Sequence, residues 1–144
     1  AYNLLRKHKT VLHTRMAAIG YCFGGSVVLD MARQGVRLKA VASFHGGLTT
    51  SKAAEPGKVK AKILVLNGKA DPFVRAEQVE AFKKEMEYAK VKYKFVSYPQ
   101  ARHAFTNPTA DFYGNKFNLP LAYNRRADER SWKELKRFFG KYVN

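Results

Sequence analysis

The chain has 144 residues, 46% of them apolar, and its 27 Lys and Arg against 11 Asp and Glu leave a net charge of +16. That is the length of one domain, residues 1–144, with enough apolar side chain for a core, which argues against disorder. No run approaches the ~20 apolar residues of a membrane span, no signal peptide is recognisable, and the cytoplasm is the expected compartment.

In chain order, Ala1 to His8 reads as the end of a helix with no strand before it. Arg15 to Gly20 reads as a short strand, and Phe23 to Arg33, with Val27, Val28, Leu29 and Met31, as a helix closed by Gly35. Leu38 to Phe44 and Ala61 to Leu66 are largely apolar runs, each followed by glycine. Runs of that kind fit strands of a parallel sheet covered on both faces. Val79, Phe82 and Met86 mark the buried stripe of a surface helix between Val74 and Ala89, and Val91 to Tyr98 is a fourth strand. Pro99 to Arg126, broken by Pro108, Gly114, Asn115, Asn118 and Pro120, reads as a long irregular segment. A last helix, Ala127 to Tyr142, carries Trp132, Leu135, Phe139 and Tyr142 as its core face. The pattern is α/β, about four parallel strands with flanking helices in a single unit.

Basic residues are spread over the whole chain, at Arg6, Lys7 and Lys9, at Lys58, Lys60 and Lys62, at Lys90, Lys92 and Lys94, and along the last helix. Spread charge of this sort is a solvated surface, so nucleic-acid binding is not expected, and attraction of anionic substrates is the more ordinary consequence.

One segment carries chemistry. Gly20-Tyr21-Cys22-Phe23-Gly24-Gly25 lies where a strand turns directly into a helix, a G-x-C-x-G elbow. Glycines on either side of Cys22 allow the close approach of strand and helix, and the turn projects the lone thiol over a helix N-terminus. The Phe23 N–H is there a candidate oxyanion donor. Asp71 follows the third strand and His103 the fourth, in the order nucleophile, acid, histidine. Asp71 would hold the tautomer of His103, and His103 would take the thiol proton. Tyr21, His45 and Phe105 are expected to touch substrate, His45 from a loop bordering the site. No histidine pair has metal-ligand spacing, and Glu77, Glu80, Glu85 and Glu87 lie on one surface helix, so no metal site is expected.

At these residues the chain resembles the dienelactone hydrolase family of the α/β-hydrolase fold. The resemblance rests on Gly20 to Gly25, Phe44-His45-Gly46, Gly68 to Pro72, His103 to Pro108 and Arg130-Ser131-Trp132. It implies a cytoplasmic bacterial hydrolase that opens lactones or cleaves small esters without a cofactor, with Cys22 as nucleophile, His103 as base and Asp71 as its partner. Family members carry a longer N-terminal part with a second oxyanion donor. Its absence predicts catalysis weakened by about 10²–10³ per missing donor. An arginine that grips substrate carboxylate four positions after the family's histidine would fall at Asn107. The fold implied is thus the C-terminal part of an α/β hydrolase. Its Met16 to Ile19 strand then has an open edge, which predicts pairing with a second copy or with the missing N-terminal half. The rival expectation is a silent module with a relic site, binding a polyanion or a partner chain through its basic surface.

Overall fold

The computed structural model describes residues 1–143. Four parallel strands, β1 (Ala17–Tyr21), β2 (Ala40–Phe44), β3 (Lys62–Gly68) and β4 (Tyr93–Tyr98), lie side by side in sequence order. Helices α1 (Tyr2–Lys7), α2 (Phe23–Arg33), α3 (Ala76–Tyr88), α4 (Ala110–Phe117) and α5 (Arg125–Tyr142) surround them. The expected α/β class and its four parallel strands are therefore present. Ala17 pairs with Ala40, Ala40 with Lys62, and Ile63 with Tyr93.

The unbroken apolar runs of β2 and β3 are explained by cover on both faces. Val41, Ile63 and Val65 join Val28, Leu29, Phe82 and Met86 in the core beneath α2 and α3. Their neighbours Ala42, Phe44, Leu64 and Leu66 point the other way, onto Ala127, Leu135 and Phe138 of α5. The alternation of side chains along a strand thus serves two cores at once. β1 bonds only to β2, and among the described residues no strand lies on its other side, where Ile19 and Tyr21 are partly exposed.

Two expectations need correction. The segment from Pro99 to Arg126 is not wholly irregular, because α4 forms inside it and α5 already begins at Arg125. α4 stops where Asn118 adopts a left-handed φ of 49°, and α5 starts where the Asn124 side chain accepts the Ala127 N–H at 3.0 Å. Trp132 is 47% exposed and does not belong to the core face of α5. The buried line runs instead through Ala127, Ser131, Leu135 and Phe138.

α2 and α3 are tied together by a buried cation. Arg33 is buried among α2, α3 and the loop after β2, and donates to both oxygens of Glu85 at 2.8 Å. It also reaches Asp30 at 3.0 Å and the Leu48 carbonyl at 2.8 Å, while Glu85 accepts the Ala54 N–H. Glu85 is accordingly a structural anchor rather than one of the solvated acids of a surface helix.

Candidate active site

All four strands point their carboxyl ends at the same rim, and the candidate residues sit on the turns that leave it. Cys22 joins β1 to α2 with φ 52° and ψ −120°, a conformation uncommon for a residue with a side chain. The close approach that permits it is at Gly20, where a Cβ would stand 1.9 Å from the Gly24 carbonyl oxygen. A second tight glycine is Gly25, where a Cβ would stand 2.6 Å from Ser43 Oγ and 3.0 Å from Gly46 Cα. At Gly24 a Cβ would meet nothing within 4 Å, so the expected requirement for glycine at that position does not hold. Phe23 is the first residue of α2, and its N–H has no carbonyl one turn earlier to bond. That leaves it free for a developing oxyanion beside the thiol.

Asp71 follows β3 on a turn in which its Oδ1 accepts the Phe73 N–H at 2.9 Å. Its side chain is fully buried, and its Oδ2 lies 2.8 Å from His103 Nδ1. His103 follows β4 on a loop held by Ala122 N–H to its carbonyl and Asn124 N–H to the carbonyl of Phe105. Its Nε2 lies 3.1 Å from Cys22 Sγ. Burial disfavours the imidazolium, but Asp71 and Cys22 outweigh it and hold the His103 pKa above that of a free histidine. A carboxylate on one ring nitrogen and a thiol on the other form a proton path from Sγ to Nε2, with the charge that develops on the ring stabilised at Nδ1.

Of the residues expected to contact substrate, two line the cavity and one does not. Tyr21 is 44% exposed, stacks on Phe44 with ring centroids 4.5 Å apart and borders the thiol. Its phenol pKa is raised by burial and by the nearby Asp128. His45 also borders the cavity, although little of it reaches solvent. Phe105 is fully buried, edge-on to His45 at 5.2 Å and packed near Tyr98, so it supports the cavity floor from below. The left-handed turn at Ala104, φ 58°, is what sends the next side chain down toward the sheet.

His45 has a part that the sequence did not announce. The Cys22 N–H, which donates to the Phe44 carbonyl at 3.0 Å, is shared with His45 Nδ1 at 3.2 Å; Nδ1 as acceptor places the ring proton on Nε2, which lies 2.9 Å from Thr106 Oγ1. Burial, and then the neighbouring His103, push its pKa down to about 4, so it is a neutral ring. Its own backbone is left-handed, φ 40°. Thr106 and Asp128 join the cavity wall unanticipated. Thr106 lay within the His103 motif as a possible signal, whereas Asp128 arrives only because the first turn of α5 packs against this rim.

The cavity above the thiol measures about 730 Å³ and is bordered by Tyr21, Phe73, Thr106, Asn107, Leu121 and Asp128. Among the described residues no group of three or more His, Cys, Asp or Glu is arranged to hold a metal ion, and no helix is long and apolar enough to cross a membrane.

A parallel sheet wrapped by helices, with a strained cysteine turn between its first strand and the following helix, is the α/β-hydrolase fold. The chain belongs to the Dienelactone hydrolase family, whose pattern it matches over residues 1–143. It is 34% identical to an uncharacterized protein of Caenorhabditis elegans, over 96% of this chain and 87% of that one. It is 28% identical to the "Putative carboxymethylenebutenolidase" of Escherichia coli K12, covering 89% of this chain and 46% of that protein. Among solved structures, a dienelactone hydrolase-like promiscuous phosphotriesterase from metagenomic libraries superposes with a TM-score of 0.89 at 35% identity, over 98% of this chain and 58% of the other. The chain thus spans about half the length of the bacterial relative and most of the nematode one.

Proposed function

We propose that this chain is a thiol hydrolase of small carboxylic esters and lactones, with Cys22 as nucleophile, His103 as general base and acid, and Asp71 as the partner that orients the imidazole. The observation that carries the reading is the unbroken bridge from the Asp71 carboxylate through both ring nitrogens of His103 to Cys22 Sγ, at 2.8 and 3.1 Å. Hydrolase relatives support the reaction class.

The Asp71 bond keeps a proton on Nδ1, so Nε2 presents its lone pair to the thiol. His103 takes the thiol proton as Sγ bonds to the substrate carbonyl carbon, and the carbonyl electron pair moves onto oxygen facing the Phe23 N–H. When that tetrahedral species collapses, the C–O bond to the leaving group breaks and the departing oxygen takes the proton from Nε2. A thioester on Cys22 remains. Water then gives a proton to Nε2 and its oxygen bonds to the acyl carbon. Breakage of the C–S bond releases the acid and returns the proton to sulfur.

The test is hydrolysis of an activated aryl ester with pre-steady-state detection of the released phenol and intact-mass detection of acylated protein. Wild type shows a burst and a thioester on Cys22, Cys22→Ala shows neither, and Cys22→Ser keeps a trace. Undiminished turnover by Cys22→Ala refutes the proposal.

A specific observation also favours the rival, a silent polyanion-binding module. A cleft of about 640 Å³ at the opposite end of the sheet is bordered by Arg6, Lys7, Arg37, Lys39 and Lys60, and among the described residues no carboxylate stands in its wall. Salt-dependent retention on DNA without Cys22-dependent turnover is the outcome that would select it.

A further inference from the structure

The geometry points to His45 as a positioning residue that spans two of the three turns of the candidate site, fixing the Cys22 turn and the His103 loop to each other through Thr106. The inference rests on the hydrolase reading and deepens it by naming what sets the distance between thiol and imidazole.

The backbone of His45 is anchored on two sides. Its N–H donates to the Leu66 carbonyl of β3 at 2.9 Å. The next residue, Gly46, lies so close to α2 that a Cβ on it would stand 2.8 Å from backbone atoms of Gly25 and Ser26. The ring is buried, with the fully buried Phe105 edge-on to it at 5.2 Å. From this base two contacts reach separate turns. Nδ1 faces the Cys22 N–H at 3.2 Å, and Nε2 faces Oγ1 of Thr106, three residues beyond His103, at 2.9 Å. A neutral imidazole with its proton on Nε2 satisfies both, and a pKa pushed down to about 4 keeps it in that form at neutral pH.

A third contact is with the base itself, since the His103 ring packs edge-on to His45, with centroids 5.3 Å apart, and perpendicular to Phe73 at 5.0 Å. Asp71 and Cys22 fix where the His103 ring nitrogens point. Where the ring as a whole stands depends on its loop, which Ala122 and Asn124 hold by backbone bonds. Thr106 ties that loop to the same platform that meets the cysteine turn. The thiol proton crosses to Nε2 only while the two turns keep their 3.1 Å separation, and a displacement of ~1 Å between reacting groups can cost about 10²-fold in rate. Every contact in this bridge is made within this chain.

The test uses His45→Asn, which keeps an acceptor for the Cys22 N–H but is too short to reach Thr106, together with Thr106→Val, Thr106→Ser and the double variant His45→Asn/Thr106→Val. Two properties are read well below each variant's unfolding midpoint: kcat and KM for an activated aryl ester, per Cys22 titrated in the burst, and the pH dependence of Cys22 alkylation by iodoacetamide. His45→Asn and Thr106→Val each lower kcat by about ten- to a hundredfold with KM unchanged. Both also move the onset of thiolate alkylation to higher pH, because the ion pair with His103 is weakened. Thr106→Ser, which keeps the hydroxyl, recovers most of the loss, and the double variant is no slower than the slower single one. Should His45→Asn fail to fold, Thr106→Val and Thr106→Ser decide the matter. Variants with wild-type kcat and alkylation profile overturn the inference even if their midpoints fall, since a merely structural ring moves stability alone. Effects that multiply in the double variant also overturn it, as does a Thr106→Ser protein no better than Thr106→Val. If wild type shows no Cys22-dependent turnover, the hydrolase reading itself has failed, and the alkylation profiles still decide the bridge.

Discussion

Replacing His45 by Asn isolates what the buried ring does to stability. Asn tolerates the left-handed φ of 40° found there, and its side-chain oxygen can accept the Cys22 N–H as Nδ1 does. What it lacks is a titrating group. In the folded chain the His45 pKa is pushed down to about 4 from 6.5. Between those pH values the unfolded state therefore binds a proton that the native state refuses, and stability falls as the solution is acidified from 6.5 to 4, levelling off below. The depression corresponds to at most about 3 kcal/mol. His103, whose pKa is raised, acts in the opposite sense and in the adjoining window. Its contribution is complete below pH 6.5 and is lost as pH climbs through its folded pKa. Urea unfolding of wild type and His45→Asn at pH 7.0, 5.5 and 4.5 reads the difference directly. Wild type should lose stability relative to the variant by roughly 2–3 kcal/mol on going from pH 7.0 to 4.5. Equal pH slopes for the two proteins, or an NMR titration of the His45 ring near 6.5, would refute the reasoning.

The two glycines of the elbow should behave oppositely. Gly20→Ala forces a Cβ to within 1.9 Å of the Gly24 carbonyl oxygen, and denaturant unfolding should show a loss above ~3 kcal/mol or no folded protein at all. Gly24→Ala has open space and lies within a helix, so its midpoint should stay level or rise by the equivalent of ~0.5–1 kcal/mol. Glu85→Gln leaves the guanidinium of Arg33, 2% exposed, without its principal counter-charge. Breaking such a pair costs about 3–5 kcal/mol, which for a domain of this size should lower the thermal midpoint by roughly 10 °C.

Local pattern carried a large share of this fold. Val41, Ile63 and Val65 belong to runs too continuously apolar for a one-sided sheet, and both faces of their strands are in fact covered. Gly20, Cys22, Asp71 and His103 were legible because strand-to-helix turns have recognisable chemistry and because each lies at the end of an apolar run. α4 was not legible, since Pro108, Gly114 and Asn115 read as breakers while the contacts that stabilise the helix come from elsewhere. Ala110 is fully buried, and Gly114 packs against the backbone of Leu119 and Leu121. Trp132 was misplaced for a related reason, because hydrophobicity identifies an apolar face without saying how far around the helix the neighbouring sheet reaches.

The sequence by itself determined the order of the strands' polarity, the strained turn at Cys22 and the succession of thiol, carboxylate and imidazole. Only the tertiary structure decided that these three meet at 2.8 and 3.1 Å, that His45 shares the Cys22 N–H with the Phe44 carbonyl, that Phe105 is buried against His45, and that Asp128 joins the cavity wall. Backbone conformation and burial periodicity are set by neighbours along the chain and leave their mark in residue type. The distance between groups on separate turns, and the charge each one faces, depends on how sheet and helices pack, and no stretch of sequence records that packing locally.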